Sequence, residues 1–192
     1  YAITVDRAAP TQTVAITRFT DDQDPQQGAL ASGSTANDAA PQLNGTLSAP
    51  LGAGEVVVIH RDSTRLGTAT MTSATTWIFN DAGLADGVRY RYSANVEDAA
   101  GNEGKSSAGF TLTVDRTAPT TAPSIDSITD NVDPVRGPIT SGSTTNEVRP
   151  VLKGTGAEPN GTVRIYDNDK LIGSATADGA GKWSFTPEAG KE

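Results

Sequence analysis

Residues 97–102 read Glu-Asp-Ala-Ala-Gly-Asn and residues 114–119 read Val-Asp-Arg-Thr-Ala-Pro, with an alternating apolar and polar run leading into the second motif. Such a run predicts a β-strand with one buried face, and the flanking Gly, Asn and Pro predict turns. A near copy of the second motif, Val-Asp-Arg-Ala-Ala-Pro, occupies residues 5–10. The stretch therefore predicts the end of one β-domain and the start of the next.

The chain also repeats itself on a larger scale. Ser-Gly-Ser-Thr occurs at residues 32–35 and 141–144, and Trp-x-Phe occurs at residues 77–79 and 183–185. The matches keep the same order and nearly the same spacing, which indicates two copies of one domain.

The repeat predicts three segments. Residues 1–9 should be the last strand and linker of a preceding repeat, because residues 1–5 align with residues 110–114. Residues 10–115 should form a complete domain. Residues 116–192 should form a second domain that stops before its last two strands.

Turn signals separate about seven alternating segments in the complete copy. They lie near residues 12–19, 42–47, 55–61, 65–72, 76–80, 88–97 and 106–114. The second copy has segments near residues 124–129, 150–155, 162–167, 170–176 and 182–186. This number of short strands in about a hundred residues predicts an all-β fold, a sandwich of two sheets.

Comparison of the two copies predicts the faces of the strand at residues 55–61. Val56 and Val58 align with apolar residues of the second copy, so they should face the core. Val57 and Ile59 align with polar or charged residues, so they should face outward.

The composition excludes several classes of function. The chain of 192 residues has 15 Lys and Arg against 23 Asp and Glu, for a net charge of -8. This balance argues against nucleic-acid binding, which needs clustered basic residues. The absence of cysteine rules out disulfides and thiolate metal sites. No apolar run is long enough to span a membrane, so no membrane insertion is expected.

Four motifs occur in a characteristic order: Trp-x-Phe, Asp-Gly-x-x-Tyr, Asp-Ala-Ala-Gly-Asn and Val-Asp-Arg-Thr-Ala-Pro. In this order they resemble the bacterial immunoglobulin-like repeats of giant surface adhesins exported by type I secretion. The resemblance implies tandem immunoglobulin-like β-sandwich domains that serve as stalk modules in cell adhesion or biofilm formation. It places the chain outside the cell, at the bacterial surface, with neighbouring repeats of the same long chain as partners. It also implies Ca²⁺ at or near the domain junctions.

Calcium binds about six to eight oxygen ligands from carboxylates, amides, backbone and water. The candidate ligands in this chain are Asp6, Asp21, Asp22, Glu97, Asp98, Asn102, Asp115, Asp130 and Asn131. We expect those from residues 97–102 to converge with Asp115 at one end of the sandwich, together with the pair at residues 130–131. Asp21 and Asp22 should face the junction that Asp6 precedes. The alternative is that these aspartates shape turns or form a solvated acidic loop.

No catalytic group stands out. His60 is the single histidine, and the acidic loops recur in both copies, which suits structure better than a unique active site. We expect no enzymatic activity. Trp77 and Trp183 should lie in the core, which argues against a sugar-stacking surface. Two alternatives to a stalk module stay open: a lectin-like or receptor-binding module, and an accessory sandwich domain of a secreted polysaccharide enzyme.

Overall fold

The computed structural model describes residues 1–24 and 27–188. The chain divides into two compact units, Tyr1–Thr117 and Ala118–Glu192. The described residues form strands, turns and loops, and none belongs to a helix that could cross a membrane. The predicted all-β fold is confirmed.

The described residues of the first unit, 1–24 and 27–117, form ten strands. In chain order they are β1 (Val14–Asp21), β2 (Gly28–Leu30), β3 (Ser34–Ala36), β4 (Gln42–Leu47), β5 (Val56–Arg61), β6 (Thr64–Thr68), β7 (Thr70–Met71), β8 (Thr76–Asn80), β9 (Arg89–Glu97) and β10 (Phe110–Val114). They form two five-stranded sheets, ordered β2-β1-β4-β8-β7 and β3-β10-β9-β5-β6. All pairings are antiparallel except that of β3 with β10.

Both sheets contribute side chains to one core. Its largest fully buried members include Trp77, Tyr92, Phe19, Leu43 and Ile59. The rings of Phe19 and Tyr92 meet edge to face across the sandwich, with centroids 5.4 Å apart. Burial of each such side chain contributes about 1.5–3 kcal/mol, so this core is the main source of the unit's stability.

The structure corrects the predicted faces of β5. Val57 and Ile59 belong to the core, with exposed fractions of 1% and 0%. Val58 is also fully buried, but it lies on the opposite face, where it pairs with Asn95 of β9. Because apolar residues occupy both faces of β5, the sequence of this strand does not show which face is turned towards the core. A one-residue error in aligning the two copies therefore reversed the predicted faces.

The structure also differs from the prediction at the sheet edges. The predicted strand at residues 65–72 is two strands, β6 in one sheet and β7 in the other. Strands β2 and β3, of three residues each, were not predicted. Residues 1–13 contain no strand, and the assignment of residues 1–9 to a preceding repeat stays a prediction.

The second unit contains β11 (Ser124–Asp130), β12 (Gly137–Ile139), β13 (Val151–Thr155), β14 (Thr162–Asp167), β15 (Lys170–Thr176) and β16 (Trp183–Phe185). One sheet has the order β12-β11-β13-β16, and the other consists of β14 and β15. A smaller core contains Leu152, Val163, Ile165, Ala177 and Trp183. The predicted burial of the two tryptophans is confirmed, at 1% exposure for Trp77 and 5% for Trp183.

Candidate functional site

The predicted calcium ligands of the first unit lie at the two ends of β9. Asp98 follows the last residue of this strand. Asp115 follows β10, in which Thr113 pairs with Arg89, the first residue of β9. The nine residues of β9 span about 27 Å at roughly 3.4 Å each. We name the two regions the Asp98 end and the Asp115 end of the first unit.

The expected convergence of Glu97, Asp98 and Asn102 with Asp115 is therefore wrong. The first three lie at or beside the Asp98 end, and an extended stretch of chain separates them from Asp115. A loop before a strand and a linker after it must lie at opposite ends of that strand, since a strand does not fold back on itself.

At the Asp98 end, one carboxylate organises a turn. Asp98 Oδ1 accepts hydrogen bonds from the backbone N–H groups of Ala100 at 2.9 Å and Asn102 at 2.8 Å. Its Oδ2 accepts a hydrogen bond from Asn102 Nδ2 at 2.8 Å. The Asn102 side-chain bond, followed by its backbone bond, holds the pKa of Asp98 below its usual value. Neighbouring Glu97 forms an ion pair with Arg65.

The same end holds the segment that precedes the sandwich. Asn102 Nδ2 also donates to the backbone oxygen of Asp6 at 3.3 Å. The carboxylate of Asp6 accepts the backbone N–H of Ala8 at 3.0 Å. Asp6 thus contacts the first unit through its backbone, while its side chain forms a local turn.

At the Asp115 end, two carboxylates are almost completely buried. Asp21 and Asp38 are each 2% exposed. Asp21 Oδ1 accepts the backbone N–H of Gln23 at 2.9 Å, and Asp38 Oδ1 accepts that of Ala40 at 2.7 Å. Burial raises the pKa of Asp21, and the charges of Asp38 and Asp22 act in the same direction against the Gln23 hydrogen bond.

The positions of Asp21 and Asp22 contradict a second expectation. Asp21 is the last residue of β1 and is followed by exposed Asp22, whereas Asp6 precedes the start of that strand. Asp6 therefore lies at the Asp98 end, and the acidic loop that begins at Asp21 lies at the Asp115 end. The predicted grouping of Asp21 and Asp22 with Asp6 is wrong.

In the second unit, Asp130 and Asn131 lie at the end of β11. Asp130 is 4% exposed, and its two oxygens accept hydrogen bonds from Val132 N–H at 2.7 Å and Thr145 Oγ1 at 2.6 Å. The backbone N–H of Asn131 donates to Glu147 at 3.1 Å. Because β11 separates Asp130 from the start of this unit, these two residues do not lie where the chain enters it.

The candidate aspartates share a local role. A carboxylate oxygen accepts the backbone N–H two residues further along the chain in Asp6, Asp21, Asp98, Asp115 and Asp130. This arrangement agrees with the alternative prediction that these aspartates shape turns. Within residues 1–24 and 27–188, no three His, Cys, Asp or Glu side chains are grouped so that they could hold a metal ion. The structure does not bring Asp98 and Asp115 together, and calcium binding by this chain stays a prediction.

Asp86 has a role that the sequence did not reveal. Its Oδ1 accepts the backbone N–H of Arg116 at 2.6 Å, and its Oδ2 accepts the hydroxyl of Thr117 at 2.8 Å. The Arg116 and Thr117 hydrogen bonds hold its pKa below the usual value. The Asp-Gly pair predicts a turn correctly, but no local pattern connects it to residues 30 positions away.

A buried network was also missed. Asp81 is 8% exposed, and its Oδ2 accepts hydrogen bonds from Tyr92 Oη at 2.7 Å and from Arg61 at 2.8 Å. Burial, followed by the hydrogen bond to Asp81, strongly raises the pKa of Tyr92. The network joins the end of β8 to β5 and β9, so its role is to hold the two sheets together.

His60 contacts an amide and not a nucleophile. Its Nε2 lies 3.0 Å from Asn95 Oδ1. Asn95 is 1% exposed on the outer face of its sheet, beside buried Val58. This contact links the neighbouring strands β5 and β9, which is a structural role.

Two facing sheets, a core that both share and turns built on aspartate define the first unit as an immunoglobulin-like sandwich. Residues 11–116, more than half of the chain, match the family of bacterial Ig-like domains, and the chain belongs to this family. The resemblance to bacterial immunoglobulin-like domains is thereby confirmed, and the adhesin context stays a prediction. A stretch of 74 residues is 42% identical to Exoglucanase B from Cellulomonas fimi. This match covers 38% of the chain and 6% of that protein.

Proposed function

We propose that the chain is a structural spacer from a large bacterial protein located outside the cell, where it supports cell adhesion or biofilm formation. The observation that carries the proposal is that the first unit binds the chain segments on both its sides. Asn102 contacts Asp6 before the sandwich, and Asp86 contacts Arg116 and Thr117 after it. A domain that holds the segments on both its sides can transmit tension along the chain and fix the direction in which the chain enters and leaves it.

The proposed spacer has no catalytic role. Its acidic residues form corresponding turns in the two units, as Asp21 and Asp130 do. A turnover assay on polysaccharides and peptides tests this part: activity that a single carboxylate substitution abolishes would contradict it.

Calcium as a stiffening ion stays a prediction for this chain. Its support is the pair of buried carboxylates, Asp21 and Asp38, because buried like charges favour a cation. The dispersed positions of the other candidate ligands count against it. Calorimetric titration with millimolar calcium tests it. If the unaltered chain gives a heat of calcium binding and the Asp21→Asn variant does not, an ion binds at the Asp115 end. If the unaltered chain gives no heat of binding, calcium is removed from the proposal.

The likeness to Exoglucanase B favours a second candidate, an accessory domain of a secreted polysaccharide enzyme. The buried state of Trp77 and Trp183 argues that such a domain would also act as a spacer and not as a sugar platform. Co-sedimentation with insoluble cellulose tests whether the chain binds sugar at all, whichever kind of protein it comes from. Retention of the chain by cellulose would favour sugar binding, whereas an unbound chain favours the spacer.

The spacer function itself is tested by scattering. A spacer should give the same radius of gyration in EDTA as at rising ionic strength, because hydrogen bonds and not long-range charge hold its segments. A radius that shrinks continuously as salt screens the repulsion of the net charge of -8 would indicate a freely hinged chain.

A further inference from the structure

The segment that follows β10 is attached to the first unit by one side chain. Both carboxylate oxygens of Asp86 accept hydrogen bonds from this segment, one from the backbone of Arg116 and one from the hydroxyl of Thr117, at 2.6 and 2.8 Å. Hydrogen bonds to an ionised acceptor are about twice as strong as neutral ones. Both carboxylate oxygens of Asp86 are therefore engaged by two residues beyond the last strand.

Two more contacts fix the same segment. The backbone N–H of Asp115 donates to the oxygen of Ala36 at 2.8 Å. Asp115 Oδ1 accepts the backbone N–H of Thr117 at 3.0 Å. Thr117 thus binds two carboxylates through different groups. Each of residues 115–117 has at least one hydrogen bond that limits its rotation.

The position of Asp86 is itself fixed. It precedes Gly87, which has a φ of 73° that glycine adopts without strain. The backbone N–H of Gly87 donates to Val114 O at 2.8 Å, and the N–H of Val114 donates to Val88 O at 3.0 Å. The turn that carries Asp86 is therefore bonded to the last strand, directly beside the segment that Asp86 holds.

We propose that Asp86 is a hydrogen-bonded latch that fixes residues 115–117 on the first unit and sets the direction in which the chain leaves it. Asp86 is a positioning residue, because it acts by holding the chain and touches no ligand. The latch goes beyond the spacer function, and it stands on contacts within the first unit whatever the parent protein does.

Amide hydrogen exchange, measured by NMR on the full chain in EDTA, tests the latch. The Arg116 amide of the unaltered chain should exchange at least about tenfold more slowly than an unprotected amide. Asp86→Ala should remove this protection. Asp86→Asn should keep part of it, because the amide oxygen of asparagine can still accept the Arg116 N–H.

Two controls separate the latch from general loss of structure. Asp126→Ala removes a carboxylate of the second unit that accepts a hydrogen bond from Ser124, and it should leave Arg116 unchanged. The Tyr92 amide in β9 should stay protected in every variant and thereby report an intact sandwich.

Relaxation of the same amides gives an independent result. The order parameters of Arg116 and Thr117 should be near 0.85 in the unaltered chain and below about 0.6 in Asp86→Ala. The proposal is overturned if the Arg116 amide exchanges at the unprotected rate in the unaltered chain, if Asp86→Ala leaves its rate unchanged, or if its protection appears only with calcium.

Discussion

Gly45 lies directly opposite Trp77 in the pairing of β4 with β8, and a Cβ atom on Gly45 would stand 2.0 Å from Trp77 Cζ2. The second unit repeats this relationship: Gly154 lies opposite Trp183, with a corresponding distance of 2.4 Å. Each indole ring therefore rests on the backbone of the neighbouring strand, where only glycine leaves room for it.

Substitution of either glycine by alanine should destabilise its own unit. The added methyl group cannot fit without displacing the tryptophan, so Gly154→Ala should lower the free energy of unfolding of the second unit by about 1–3 kcal/mol. Urea denaturation followed by tryptophan fluorescence measures the loss. Gly179→Ala is the matched control, because nothing lies within 4 Å of the added atom. Equal stability of the two variants would contradict the close packing of Trp183 on Gly154.

Tyr92 should make stability fall at alkaline pH. Burial raises its pKa in the folded state above the usual value of 10.0, so the folded chain holds the phenolic proton more tightly than the unfolded chain. The resulting stability is complete below about pH 10 and decreases as the pH rises further. Tyr92→Phe should be less stable at pH 8, by about 1–3 kcal/mol, because Asp81 loses a buried donor.

The difference between Tyr92→Phe and the unaltered chain should then shrink between pH 8 and pH 11, since phenylalanine cannot ionise. Urea denaturation at both pH values measures it. A difference that is the same at both values would show that Tyr92 ionises equally in the folded and unfolded chain.

Asn102 should control the acidity of Asp98. Its side-chain and backbone hydrogen bonds lower the pKa of this carboxyl below the usual value of 3.8. Stability from this interaction is present above pH 3.8 and is lost as the pH falls through the lower folded value. In Asn102→Ala the pKa of Asp98 should move up towards 3.8, as followed by the carboxyl ¹³C shift. An unchanged pKa would mean that the Asn102 amide does not contact the carboxylate in solution.

Alternation and repetition in the sequence were enough to predict the fold. Strands β4, β8 and β9 lie close to their predicted positions because each has one apolar and one polar face. The short strands β2 and β3 escaped prediction because three residues are too few to show a period. The faces of β5 were predicted wrongly for a different reason: both of its faces are buried, so its sequence does not alternate.

The candidate site was less predictable than the fold. The sequence identified Asp98 and Asp115 as residues with a specific role, and both do organise turns. Their separation follows from the strand that the sequence itself predicts at residues 106–114, so the error lay in expecting the two ends of one strand to meet. The link from Asp86 to Thr117 is a tertiary contact between distant parts of the chain, and a single sequence gives no sign of it.

The central claim is that the chain is a spacer whose first unit holds the segment after β10 through Asp86, and a distance measurement within that unit tests it most directly. The chain has no cysteine, so single cysteines at exposed Thr70 and Arg116 would take spin labels specifically, and the backbone N–H of residue 116 would still be able to donate to Asp86. Electron–electron double resonance in EDTA should give one narrow distance distribution for the otherwise unaltered chain and a broader one for Asp86→Ala. A broad distribution in EDTA that Asp86→Ala leaves unchanged would contradict the account.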